Sequence, residues 1–158
     1  MIIKSYELKR NTSFFLKNNF FLLYGENFGL KKDIREFIKK LIKQKDDNIE
    51  ILSLYEDEIL KNDETIYNLT YSGSLFSNKK IITIYDATDK IIKIISNIYE
   101  KYPKNIFFII FSEILEKKSK LRNFFEKNKK TICTACYLDS EKDLEIIIQS
   151  ELKKNNIL

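Results

Sequence analysis

Gly25, Gly29 and Lys31 are the first residues whose types suggest chemistry. They follow a short apolar run, Phe-Phe-Leu-Leu-Tyr over residues 20–24. Strand, glycine turn and helix in that order frame a phosphate-binding loop. Such a loop needs G-x-x-x-x-G-K-[ST]: its backbone amides wrap the phosphates, its lysine reaches the outer ones, and its hydroxyl holds magnesium. Here the two glycines stand one residue too close, Leu30 takes the lysine position, and no Ser or Thr follows Lys31. Nucleotide hydrolysis also needs acids at the end of a neighbouring strand, to hold the metal ion and orient water. The apolar run over residues 81–85 ends at Asp86, and Ala87 comes next. One acid cannot do both jobs. The turn has the position of a nucleotide site and lacks its chemistry, so no cofactor, catalytic residue or metal ligand is expected.

Cys133 and Cys136 form the only Cys-x-x-Cys. A redox pair normally opens a helix after a strand, whereas this one sits inside a strand-like stretch. A zinc site needs two further ligands, and the sequence has no His and no third Cys. Both thiols therefore read as core or edge residues of a protein in a reducing cytoplasm. Lys117, Lys118, Lys120 and Arg122 make a basic cluster that would suit DNA phosphates. The net charge of +5 permits that contact without requiring it. Lysines alternate with acids along most of the chain, as a solvated face does, and the heavy use of Ile, Asn and Lys fits AT-rich coding.

Leu75 and Phe76 are the remaining candidates. They stand between Ser72-Gly-Ser74 and Ser77-Asn-Lys-Lys80. Ser72 and Gly73 break structure before the pair, and an apolar run follows it. Two large apolar side chains so placed need burial, beneath their own domain or by a partner. Adjacent Leu-Phe pairs are mostly core, but an exposed pair with polar neighbours would make a binding hot spot. Lys79 and Lys80 read as solvated lysines ahead of a strand, with rim contacts to a partner as the alternative.

The elements that must position these residues follow from periodicity. Residues 1–19 give only a mixed polar and aromatic lead-in. Residues 20–24 read as a buried strand. The helix after the glycine turn carries Ile34, Phe37, Ile38, Leu41 and Ile42, the stripe of one buried face. A second strand spans 49–54, and 55–61 is a charged connection. Asp63 can cap a short helix bearing Ile66, Tyr67, Leu69 and Tyr71. The third strand is 81–85. Thr88 caps a helix with Ile91, Ile94, Ile95 and Ile98 inward, ended by Pro103. Strand 106–111, helix 119–127 (Leu121, Phe124 and Phe125 inward) and strand 131–137 come next. Ser140 and Asp143 resemble a capping box opening a last helix with Leu144, Ile147, Ile148 and Leu152. Five strands separated mostly by helices predict an α/β fold, a three-layer sandwich with a mostly parallel five-stranded sheet, in one domain over residues 1–158.

Composition agrees. The chain has 158 residues, 44% apolar and 32% charged, which is globular and large enough for a core. The longest apolar runs, such as 106–111, fall far short of the ~20 residues of a membrane-spanning helix. Residues 1–10 lack a signal-peptide layout.

Several pieces, taken in order, carry a resemblance. They are Phe21-Leu-Leu-Tyr-Gly-Glu-Asn27 with its helix, Ser74-Leu-Phe76 ahead of the third strand, Ile109-Ile-Phe-Ser112, and Lys118-Ser-Lys-Leu-Arg122 leading to Leu138-Asp139. Together they resemble the N-terminal domain of the delta subunit of the bacterial DNA polymerase III clamp loader. The resemblance implies an AAA+ ATPase-like fold without a working nucleotide site. It implies a replication protein with no catalysis of its own, which binds the ring-shaped sliding clamp and opens it for loading on primed DNA. Leu75 and Phe76 match the family's Leu-Phe pair, which enters a hydrophobic pocket of the clamp. ATP hydrolysis would fall to partner subunits, and DNA would be met indirectly or weakly. Family members continue into a lid and a helical collar, which joins the other loader subunits and has no match here. A DNA-binding module and a phosphate-loop hydrolase are the competing readings.

Overall fold

A computed structural model of the chain describes residues 1–10, 12–44, 48–73, 77 and 79–138, with 145, 148, 149, 152 and 153 beyond them. Its five strands are β1 (Phe20–Tyr24), β2 (Ile49–Tyr55), β3 (Lys79–Tyr85), β4 (Ile106–Ser112) and β5 (Thr131–Ala135). They form one sheet in the order β2-β3-β4-β1-β5. Every pairing between these strands is parallel, where the sequence predicts mostly parallel. Continuous apolar runs suit this arrangement, because helices cover both faces of a parallel sheet. Alternate side chains part cleanly. Phe20, Leu22, Ile82, Ile84, Phe108, Ile110 and Cys133 enter one core, and Phe21, Leu23, Ile81, Ile109, Phe111 and Ile132 enter the other.

The helices are α1 (Ser5–Arg10), α2 (Ser13–Lys17), α3 (Phe28–Lys43), α4 (Glu56–Lys61), α5 (Glu64–Tyr71), α6 (Ile92–Lys101) and α7 (Lys120–Lys127). Leu8 of α1, Phe15 of α2 and Ile34, Ile38 and Ile42 of α3 pack on the second face. Ile59, Ile66, Ile95, Ile98, Leu121 and Phe125, from α4 to α7, pack on the first. The three layers match the sequence reading.

Four expectations change. The lead-in over residues 1–19 contains α1 and α2 and closes the free edge of β5: the Cys133 amide donates to Met1 O at 2.9 Å and the Ile3 amide to Cys133 O at 3.0 Å. The charged connection over residues 55–61 is α4. Its one fully buried apolar side chain is Ile59, and the Glu58 carboxylate reaches back to accept from the Tyr55 amide at 2.9 Å. Asp63 occupies the cap position of α5, but its side chain makes no capping bond, and Asn62 Oδ1 accepts from the Glu64 amide instead. The fifth strand ends at Ala135, one residue before Cys136. Both cysteines are buried, and burial pushes each thiol up to about 12, as expected of inert core residues. Most of the last predicted helix, including Ser140, Asp143, Leu144 and Ile147, lies outside the described residues, and Ile148 and Leu152 are helical. Among the described residues no helix is long and apolar enough to cross a membrane.

From β1 the chain turns toward β2 on one flank of the sheet, and from β4 it crosses to β5 on the other. The carboxyl ends of β1 and β4 therefore flank the topological switch point, where open parallel sheets place their ligand crevice. Gly25, Gly29 and Lys31 stand there.

Candidate functional site

At the switch point the chain supplies its own ligands. Gly25 follows β1 with φ of +123°, a conformation that favours glycine, and an added Cβ would stand 2.3 Å from the Cys136 carbonyl oxygen. That carbonyl accepts from the Asn27 amide at 2.9 Å, while the Cys136 amide donates to Tyr24 O at 2.6 Å. Asn27 caps α3 by accepting from the Leu30 amide at 3.0 Å. The Gly25, Phe28 and Lys31 amides donate to carbonyls of Ser112 and Glu113, of Glu26, and of Asn27 respectively. A phosphate cradle leaves such amides open to its ligand. Here the amides of Gly25, Asn27, Phe28, Leu30 and Lys31 are all engaged within the chain.

Lys31 completes this closure. It is only 1% exposed, and its Nζ donates to Gly25 O at 2.7 Å and to Ser112 O at 2.9 Å, with Glu113 Oε1 at 3.6 Å. The ammonium bridges the ends of β1 and β4 instead of facing a crevice. Asp86 turns the chain out of β3 in a left-handed conformation, φ 56°. It lines a 260 Å³ cleft with Tyr55, Glu56, Asp57 and Glu58, a setting that repels phosphate. Glu56 is committed within the fold: it is buried, its Oε1 accepts from Thr88 Oγ1 at 2.7 Å, and its Oε2 accepts from the Thr88 amide. Among the described residues no group of three or more His, Cys, Asp or Glu is arranged to hold a metal ion.

The basic cluster proves mixed. Arg122 is committed internally: Nε donates to Glu126 Oε1 at 2.7 Å, a further N–H to Leu115 O at 3.0 Å, and the guanidinium lies 5.0 Å from the Tyr24 ring centroid. The Glu126 bond holds its pKa above the usual arginine range. Lys117, Lys118 and Lys120 are exposed, but Lys118 pairs with Glu116 at 2.9 Å. Asp89 caps α7 by accepting from Ser119 Oγ at 2.6 Å and from the Lys120 and Leu121 amides, both at 3.0 Å. Lys117, and Lys120 beside the Asp89 carboxylate, are a thin basis for phosphate recognition.

Leu75 and Phe76 lie outside the described residues, but both flanks of their connection are defined. Tyr71, the last residue of α5, is 45% exposed and stacks on Tyr67, and the Lys101 ammonium lies 4.8 Å from its ring centroid. The other flank corrects the sequence reading of Lys80. It is 6% exposed, and its Nζ donates to Leu69 O and Ser72 O, both at 2.9 Å, with Glu50 Oε2 at 3.6 Å. Sequence gave no signal for this, because the acceptors are main-chain carbonyls that only the fold brings near. The internal bonding of Lys80 is thus the feature of this region that sequence reasoning missed.

Comparison with known proteins bears on the same span. The family model described as DNA polymerase III, delta subunit, matches residues 21–138. A Rickettsia prowazekii protein described as a probable DNA polymerase III subunit delta is 29% identical over 139 residues, covering 85% of this chain. The chain spans 40% of that relative's length. Among solved structures, the Bacillus subtilis DNA clamp loader delta protein (YqeN) superposes with a TM-score of 0.62 at 13% identity, over 96% of this chain and 48% of that one. At that identity the superposition speaks for the fold.

Proposed function

The chain belongs to the DNA polymerase III delta subunit family, and from that premise we propose that it is the clamp-binding portion of a clamp loader. Leu75 and Phe76 enter a hydrophobic pocket of the sliding clamp. The ring opens because the chain binds its open or strained form more tightly than its closed form, and that difference in affinity is all the opening requires. No bond is made or broken by this chain. The engaged amides of the β1–α3 turn and the buried Lys31 ammonium support that assignment. Hydrolysis of ATP belongs to partner subunits, joined through the lid and collar that the family carries beyond this domain. DNA is reached through the clamp, in the cytoplasm.

One observation carries this reading. The Leu75–Phe76 pair falls within the span matched by the family, between the exposed end of α5 and the start of β3, with polar residues on either side. The test is binding to the organism's own sliding clamp, for the parent chain and for Leu75→Ala/Phe76→Ala. Hot-spot anchors cost about 2 kcal/mol or more each on truncation, so the variant should lose most of the affinity while keeping its thermal stability. A variant that binds as the parent does, or that unfolds because the pair is core, refutes the assignment. So does a parent chain with no affinity for the clamp.

A further inference from the structure

A row of aromatic rings runs along the carboxyl ends of three adjacent strands. Tyr55 ends β2 and packs on Tyr85 of β3, with ring centroids 5.3 Å apart. Tyr85 in turn meets Phe111 of β4 edge-on at 5.2 Å. The Arg35 guanidinium lies 6.0 Å from the Tyr85 ring centroid and donates to its hydroxyl. The outermost ring, Tyr55, is 51% exposed. A ring held on a strand end and packed on a second ring has little freedom left to lose when a partner lies on it.

The charges beside Tyr55 select the partner. Of the acids that share its 260 Å³ cleft, Glu56 is bound to Thr88 and Glu58 to the Tyr55 amide. Asp57 and Asp86 are exposed and enter none of the ion pairs among the described residues. The N-terminus of α4 adds about half a positive charge here, which two whole carboxylate charges outweigh. The cleft therefore attracts cations and repels phosphate, although the chain carries +5 overall. Arginine suits a tyrosine ring flanked by carboxylates better than lysine does. Its planar guanidinium stacks on the ring and still donates from its edge. The chain builds that arrangement internally at Arg122, which lies over Tyr24 and donates to Glu126.

We propose that the cleft beside Tyr55 receives an arginine side chain presented by a basic segment of a partner protein. The guanidinium stacks on the Tyr55 ring, and the Asp57 and Asp86 carboxylates accept from its N–H groups. The site stands where β2 and β3 end, and it does not rest on the reading of Leu75 and Phe76 as the clamp anchor.

The experiment titrates the full chain with an end-blocked Gly-Arg-Gly tripeptide, followed by backbone amide NMR shifts. The amides of Tyr55, Asp57 and Asp86 should shift together, with a Kd on the order of 1 mM for so small a probe. A citrulline tripeptide keeps the shape without the charge and should bind about fivefold or more weakly. Asp57→Asn and Asp86→Asn should each weaken the arginine peptide roughly two- to fivefold. Asparagine tolerates the left-handed φ of Asp86, so the backbone there is kept. Tyr55→Leu keeps an apolar side chain without the ring and should also cost roughly two- to fivefold. No shift at these amides up to roughly 10 mM peptide overturns the proposal. Equal binding of citrulline, or unchanged affinity in the two Asn variants, does the same. So do shifts at these amides produced by a single-stranded oligonucleotide, or by raising the concentration of the chain itself, when the peptide produces none.

Discussion

Gly25→Ala separates two accounts of the glycine turn. If Gly25 were the relic of a phosphate cradle, no structural reason would hold it in place. The structure gives two such reasons. Its φ is +123°, where an L side chain is strained by about 1–3 kcal/mol. Its Cβ would also stand 2.3 Å from the Cys136 carbonyl oxygen, and that carbonyl is fixed by the Asn27 amide. Relieving such overlap in a packed site costs about 1–3 kcal/mol more. Against this, alanine lowers the entropy of the unfolded chain by only about 0.4–1 kcal/mol. The net expectation is about 3 kcal/mol of destabilisation, a large share of the roughly 5–15 kcal/mol that holds a domain folded. Urea unfolding reads it directly, as a midpoint lowered by about 1–2 M with unchanged slope. Gly29→Ala is the control. Gly29 lies in the first turn of α3, and its added Cβ meets only Asn27 Oδ1, at 3.6 Å. It should be neutral or stabilising by up to about 1 kcal/mol. If Gly25→Ala unfolds within about 1 kcal/mol of the parent, or if Gly29→Ala is the more damaging of the two, the steric account of this turn is wrong.

Three further predictions follow from single side chains. Lys31→Met removes two charge-assisted bonds to Gly25 O and Ser112 O and should cost about 2–3 kcal/mol in chemical denaturation, without creating affinity for ATP in a titration. Thr134 Oγ1 is buried and has no hydrogen-bond partner among the described residues, so Thr134→Val should stabilise by about 1 kcal/mol and raise Tm by about 2–4 °C. Burial acts to raise the pKa of Asp89, but hydrogen bonds from Ser119, Leu121 and Lys120 outweigh it and hold the carboxyl below its ordinary value. A carboxyl lowered by folding stabilises the fold above its unfolded pKa and loses that contribution as pH falls through the folded one. Asp89→Asn should therefore be less stable than the parent at pH 7, with the gap closing below about pH 4; a gap that stays constant with pH refutes the capping role.

The parts of the fold that were legible in the sequence are those where side-chain type alone decides burial. Phe-Phe-Leu-Leu-Tyr before Gly25 is β1 to the residue, because a continuous apolar run closed by glycine admits few other structures. The stripe of α3 was equally plain. α4 was not, because Glu-Asp-Glu-Ile-Leu-Lys has a helix-compatible composition but little apolar periodicity, and only Ile59 carries it into the core. Lys80 was misleading because sequence assigns a cation ahead of a strand to solvent, whereas main-chain carbonyls of Leu69 and Ser72 hold it; Lys31, of the glycine turn, and Arg122, of the basic cluster, are likewise held by carbonyls and a carboxylate that the fold brings to them. The departure from the phosphate-loop pattern was legible from the spacing of Gly25 and Gly29. The way the chain engages this turn was not, because Cys136 lies more than a hundred residues away and reaches the turn only through sheet order.

That sheet order also bears on how the chain is made. β1 sits between β4 and β5 and is buried along its whole length. It leaves the ribosome first, yet its nearer partner in sequence is complete only roughly 90 residues later, on the order of 5–20 s at ordinary rates of synthesis. For that interval Phe20, Phe21, Leu22 and Leu23 form an apolar β-prone segment without a sheet to join, the type of window in which nascent chains associate wrongly. Production of this domain should accordingly respond to chaperone supply and growth temperature more than its folded stability alone would indicate.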